Sequence, residues 1–289
     1  MIAAERSIAR VEARRLARNP GLWTALLFSA WWVRWTLVED DARTTYFLLV
    51  GYSLLLPAAV VLVVTDLAVL RSRSARADEL LDTMPVGRDR RTVAHLLSGL
   101  FGLAVGLAAV VAFVAVVRPG ATLGRLEDTI PAGFDLPRPG VAQLLQGPFV
   151  ILVACAFAVA LARWLPSWLA MLVLVVPLAG QALWFGLWMA SGTNLITWAM
   201  PMSPGVVLGE WFGCGERDAI CQVQIAGIDR TTAWWHLGYL VALAALFGAV
   251  AVLRDRRDRR AWAALAVALT LTIGTLVAQA VVHRTFPTA

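Results

Sequence analysis

The sequence contains no lysine: all 25 basic residues are arginine. A P-loop needs a lysine on its phosphates, so this chain is not expected to hydrolyse ATP itself. Schiff-base chemistry and Ser–Lys dyads are excluded on the same ground. Histidine and cysteine are scarce, at three each, and charged residues make up 15%. His95, His236 and His283 fall in different segments, each read most simply as a surface residue near a span end. No HExxH, no GxSxG and no intramembrane carboxylate pair is present, so no catalytic site, bound cofactor or metal site is expected.

What is abundant is apolar sequence. Of 289 residues 60% are hydrophobic, and the mean hydropathy is +0.72, a membrane composition. Seven apolar runs stand out: 20–38, 45–70, 92–117, 141–165, 167–191, 232–253 and 261–282. At about 1.5 Å per residue, each is long enough for a hydrocarbon core of about 30 Å. Lipid offers the backbone no hydrogen bonds, so the runs must be helices or a closed barrel. Their continuous apolarity, without two-residue alternation, decides for helices. The fold class is therefore all-α, a polytopic helical membrane protein of one domain. No short apolar core followed by an A-x-A site marks a cleavable leader.

The net charge is +6. The arginines flank spans, so they are read as topology signals rather than a nucleic-acid surface. With the N-terminus inside, inner segments hold Arg6 to Arg18, Arg71 to Arg91, Arg163, and Arg254 to Arg260. Only scattered arginines such as Arg43, Arg125 and Arg217 lie outside. That places 74–88 in the cytoplasm and, with seven spans, the C-terminus outside the cell membrane. The segment 192–231 becomes an external loop with interfacial helices, because Pro201, Pro204 and Glu210 argue against a span there. Residues 4–19 carry Arg6, Arg10, Arg14 and Arg18 at a spacing of four, which predicts an amphipathic helix against anionic lipid.

Several residues invite a role. Ala94, Ser98, Gly102 and Gly106 form a small-residue stripe, suited to packing within the bundle or to a dimer seam. Pro57 and Pro177 are expected to bend their helices. Gln181 lies mid-span, either bonded to another helix or lining a pathway. Asp66 can reach Arg71 or Arg73, or act as a gating or proton-relay group. Arg34 can snorkel toward Glu39, Asp40 and Asp41. Cys214 and Cys221, in the external loop, form a candidate disulfide; together with His236 they would supply at most three metal ligands. Six tryptophans, Trp23, Trp164, Trp168, Trp211, Trp234 and Trp235, fall near span ends, where indole favours the interface.

Between the second and third runs lies RSRSARADELLDTMPVGRDRR, too polar to enter a bilayer. Its centre can form about two helical turns with Leu80 and Leu81 as an apolar edge, stopped by Pro85. ELLDTMPVGR resembles the corresponding loop of ABC-2-type transporter permeases, in which an acidic residue, a Leu pair, Thr, Pro and Arg recur in that order. Glu79, Leu80, Leu81, Thr83, Pro85, Val86 and Arg88 carry the match, and EARRLARNPGLW resembles the helix that precedes the family's first span. Upstream, Ser74-Ala75-Arg76-Ala77 departs from the family's Gly-Thr-type stretch. The resemblance implies a six-span core, here followed by a seventh span at 261–282. It implies an exporter permease coupled through Glu79, Leu80, Leu81, Thr83, Pro85 and Arg88 to a separate P-loop ATPase subunit that holds ATP and Mg. A homodimer or a second permease subunit would complete the pathway. A secondary transporter and a membrane-embedded enzyme are the alternatives.

Overall fold

Backbone amides in hydrocarbon must find partners within their own segment, and the described apolar segments are all helical. The computed structural model describes residues 2–39, 53–74, 87–116, 140–166, 169–170, 173, 199–201 and 230–285. Among them are seven helices and no strand: α1 (Ile2–Ala17), α2 (Pro20–Glu39), α3 (Leu55–Ser74), α4 (Arg88–Val116), α5 (Val141–Trp164), α6 (Arg230–Asp255) and α7 (Arg259–Thr285). Four of these, α4 to α7, are long and apolar enough to cross a membrane. The chain is thus an all-helical protein compatible with multi-pass insertion, with four such helices among the described residues where the sequence leads one to expect six spans and a seventh.

Local chemistry sets the helix ends. Asn19 caps α2: its Oδ1 accepts from the Gly21 amide at 2.8 Å, and Pro20 takes the first helical position, where no amide is needed. The Trp23 indole donates to the Ala17 carbonyl at 2.6 Å, satisfying an end carbonyl of α1. α5 stops at Trp164 because Pro166 forces Leu165 into extended backbone, φ −102° and ψ 150°. Asp258 caps α7, accepting the Ala261 amide at 2.9 Å, which lets the chain reverse over Arg256–Asp258. Pro57 was expected to bend its span. It lies in the first turn of α3, where a missing N–H breaks no intrahelical bond.

α5 is the hub and packs on α3, α4 and α6. Close approach comes from glycine. A Cβ on Gly102 would lie 3.0 Å from Ile151 Cγ2, and one on Gly106 would lie 3.1 Å from Pro148 Cα. One turn before Ile151 on α5, Gly147 meets Leu54, the residue just before α3. The core between them gathers Leu22, Leu54, Val61, Val110, Phe113, Ile151 and Leu240. α1 does not stand apart as a purely interfacial helix. It packs on α4, and Leu16 joins this core, while Arg6, Arg10, Arg14 and Arg18 stay exposed. Burial lifts the Glu12 carboxyl of α1 above its usual range, against the opposing pull of Arg15 at 2.8 Å. α7 packs chiefly on α6 and leaves most of its apolar surface open.

Contacts fix the helix directions. Trp164 meets Val250 and Gln146 meets Ala233, so α5 and α6 run parallel. The chain therefore leaves α5 at one end of the bundle and enters α6 at the other. α4 runs antiparallel to both, through Gly106 with Pro148 and Thr92 with Asp255.

Candidate functional site

Two buried polar nodes, one at each end of the bundle, and one isolated carboxylate hold the described polar chemistry. The first node lies where α4 begins and where α5 and α6 end. Thr92 has no exposed surface, and its hydroxyl donates to Asp255 Oδ2 at 2.5 Å. Arg163 of α5, 6% exposed, brings its Nε to within 4.0 Å of the same carboxylate oxygen. Beside it the Trp164 indole donates to the Val250 carbonyl at 2.8 Å, and the Arg254 guanidinium lies 5.6 Å from the Trp164 ring centre. His95, one turn after Thr92, is buried within the positive field of Arg163, Arg15 and Arg91. This node ties three helix ends together within one turn of Arg88, the exposed first residue of α4.

The second node joins α5, α6 and α7 at the opposite end. His236 has no exposed surface. Its Nδ1 lies 3.0 Å from Gln279 Oε1, whose amide nitrogen has no partner, and its Nε2 lies 3.2 Å from the Pro201 carbonyl. A neutral imidazole has one N–H, so Nε2 donates to Pro201. Nδ1 then accepts from Gln279 once that amide presents its NH2 to the ring. Tyr239, one turn on, donates to the Ala199 carbonyl at 2.6 Å. Gln146 of α5 donates to the carbonyls of Ala142 at 3.0 Å and Ala233 at 2.9 Å. Gln143 accepts the Gly140 amide at 2.6 Å. The His236 and Tyr239 bonds fasten residues 199–201 to α6, and the Gln146 bond ties α5 to α6.

The third feature is Asp66 in α3. It has no exposed surface, and neither carboxylate oxygen has a hydrogen-bond partner. The expected approach to Arg71 is not made, since neither carboxylate oxygen has a partner, and the side chain of Arg73, the other expected partner, lies outside the described residues. Thr65, next to it, meets the buried free thiol of Cys155 at 3.9 Å.

The sequence reading placed His95 and His236 at the surface, and both are buried. Position along a helix gives depth but not which face a neighbour covers: α4 and α5 enclose His95, and α6 and α7 enclose His236. Ser98 is buried with its hydroxyl on the His95 carbonyl at 2.6 Å, and Gly102 and Gly106 face α5. Of the coupling residues, Arg88 is described, while Glu79, Leu80, Leu81, Thr83 and Pro85 lie outside the described residues, as do Gln181, Cys214 and Cys221. Sequence reasoning missed Asp255, Gln143, Gln146 and Gln279. A signal was present in the last three, amides inside apolar runs, which must find partners in lipid. Among the described residues no group of three or more His, Cys, Asp or Glu side chains gathers to hold a metal.

No family model, curated protein or solved structure matches the chain.

Proposed function

We propose that the chain is the membrane subunit of an ATP-driven exporter of the ABC-2 permease type, residing in the cell membrane with its N-terminus in the cytoplasm. The observation that carries the reading is the ELLDTMPVGR segment between α3 and α4. Its apolar pair, Leu80 and Leu81, suits a knob that receives force from a soluble partner. The node of Thr92, Arg163 and Asp255 lends support, because it ties the start of α4 to α5 and α6, the connection a pushed helix needs to move its neighbours. The partner would be a P-loop ATPase subunit holding ATP and Mg, with a second copy or a second permease completing the pathway. The six-span core with a seventh helix belongs to this proposal, as do export as the direction of transport and the outer placement of the C-terminus.

The test is the pair of substitutions Leu80→Asp and Leu81→Asp, made together. Burying two leucines at an interface is worth about 1.5–3 kcal/mol each before ordering costs. The double variant is expected to lose copurified ATPase or to lose its stimulation by substrate, with the bundle still folded. Full ATPase retention with full stimulation refutes the reading.

A secondary transporter is a second reading, and one observation favours it: the buried carboxylate of Asp66.

A further inference from the structure

Among the described residues Asp66 is the only Asp, Glu or Arg with no exposed surface. It lies mid-helix in α3, eight residues before Ser74. Leu62, Val69 and Leu70 share its face at spacings of three and four. Leu62 packs on Ala158, and Val69 and Leu70 join Val159, Ala162, Ala170 and Ala251. The wall that this face meets is therefore apolar.

An ionised carboxylate in such a place would need several donors and has none: both oxygens lack a partner. The charged and titratable groups of the packed elements are otherwise placed, and Arg71 of α3 itself is exposed. On α5 they are Cys155, which meets Thr65, and Arg163, which faces Asp255. On α4 they are Arg88, Asp89, Arg90, Arg91 and His95, all in or beside the node at the helix start. On α1, Glu12 and Arg15 bond each other. α2 has no charge from Pro20 to Val33, and its Arg34 is exposed. A metal cation would need further oxygens around the carboxylate, and among the described residues none gather.

We propose that Asp66 is a proton-binding site inside the bundle, a carboxylic acid at neutral pH held between α3 and α5. The protonated form needs one acceptor for its O–H, where the ionised form needs donors on both oxygens. Releasing the proton requires water or a donor to enter the α3–α5 seam. The inference concerns the charge of one side chain and holds under either transport reading. Its test involves neither Leu80 nor an ATPase, so the two fail separately.

The full chain in lipid nanodiscs at neutral pH is compared with Asp66→Asn by infrared difference spectroscopy. The expected result is a protonated-carboxyl C=O band that shifts down in D2O and is lost in Asp66→Asn. A band that appears only on the carboxylate stretch overturns the proposal. The second probe is dicyclohexylcarbodiimide, an apolar reagent that attacks protonated buried carboxyls. The acid proton moves to a carbodiimide nitrogen and the carboxyl oxygen adds to the central carbon. The O-acylisourea then rearranges to a stable N-acylurea, with no atom lost and no redox partner needed. Peptide mass mapping is expected to find the adduct on Asp66 in wild type and in Asp66→Glu at the same position, and none in Asp66→Asn. If Asp66→Asn does not fold, labelling of wild type decides alone. An unlabelled Asp66 peptide under conditions that label an added protonated carboxylic acid in the same nanodiscs overturns the proposal.

Discussion

Substituting Gly147 by alanine adds a single methyl where α5 closely approaches Leu54, the residue just before α3. That methyl would stand 2.9 Å from Leu54 Cδ1, 3.0 Å from its Cβ and 3.3 Å from its Cγ. Cδ1 can swing away by a rotamer change, but Cβ is fixed to the backbone, and Leu54 is buried at 1% exposure. The two helices must therefore separate, at the overpacking cost of about 1–3 kcal/mol. Alanine also gains about 1 kcal/mol of helix propensity over glycine, which would mask part of the effect. Gly274 of α7 supplies the control: it too sits inside a helix, and nothing lies within 4 Å of its added Cβ. Gly274→Ala takes the propensity gain without the clash, so the difference between the two variants isolates the packing term at about 1–3 kcal/mol. Thermal unfolding in one detergent, followed by intrinsic tryptophan emission, measures both. Adding Leu54→Ala to Gly147→Ala should relieve the clash and give a coupling energy above about 0.5 kcal/mol. Equal midpoints for Gly147→Ala and Gly274→Ala would refute the close-packed seam.

Asp255→Ala removes the carboxylate that faces Arg163 and accepts from Thr92. It should destabilise by about 2 kcal/mol, less than the roughly 3–5 kcal/mol of a tightly bonded buried pair because the Arg163 contact is 4.0 Å long. The same unfolding assay reads it, and Asp255→Asn, which keeps an acceptor for Thr92, should fall between Asp255→Ala and wild type. At the α6–α7 turn, the Ala261 amide and then Arg256 hold Asp258 below the ordinary aspartate value of 3.8. A lowered folded value means that this stabilisation is present above about pH 4 and is lost as acid protonates the folded form. Asp258→Asn should keep the helix cap and flatten the pH dependence of the unfolding midpoint in that acid window, and an unchanged slope would count against the assignment.

How far the sequence discloses this architecture depends on the kind of information each residue carries. Helices are legible because apolarity without alternation leaves lipid-embedded backbone only one solution, and α4 to α7 are helices of this kind. Their ends are legible where local chemistry acts, as at Asn19-Pro20, Leu165-Pro166 and Asp258. Burial is another matter. His236 looks like a residue at a helix end until Gln279, 43 positions later, is seen to cover it. Asp66 looked able to fold back on Arg71, but α5 closes over it and the arginine stays in the open. The stripe of Gly102 and Gly106 says that something approaches closely. That the approaching surface is Ile151 and Pro148 of the same chain comes from the structure alone. The segment that carries the family resemblance, 79–88, lies outside the described residues except for Gly87 and Arg88, so the coupling assignment rests on sequence.

Membrane helices enter the bilayer in order of synthesis, and α7 comes last of those described. It follows α6 by one short turn, and α5, α4 and α3 come earlier still. The hub helices are thus all synthesised before α7, whose chief neighbour among the described helices is α6. Gln279 is the partner of His236 Nδ1, so the docking of α7 closes a polar gap as well as an apolar one. A chain halted after Asp255 should insert with its α3–α4–α5 packing intact and carry a histidine open to small reagents, which full-length protein shields.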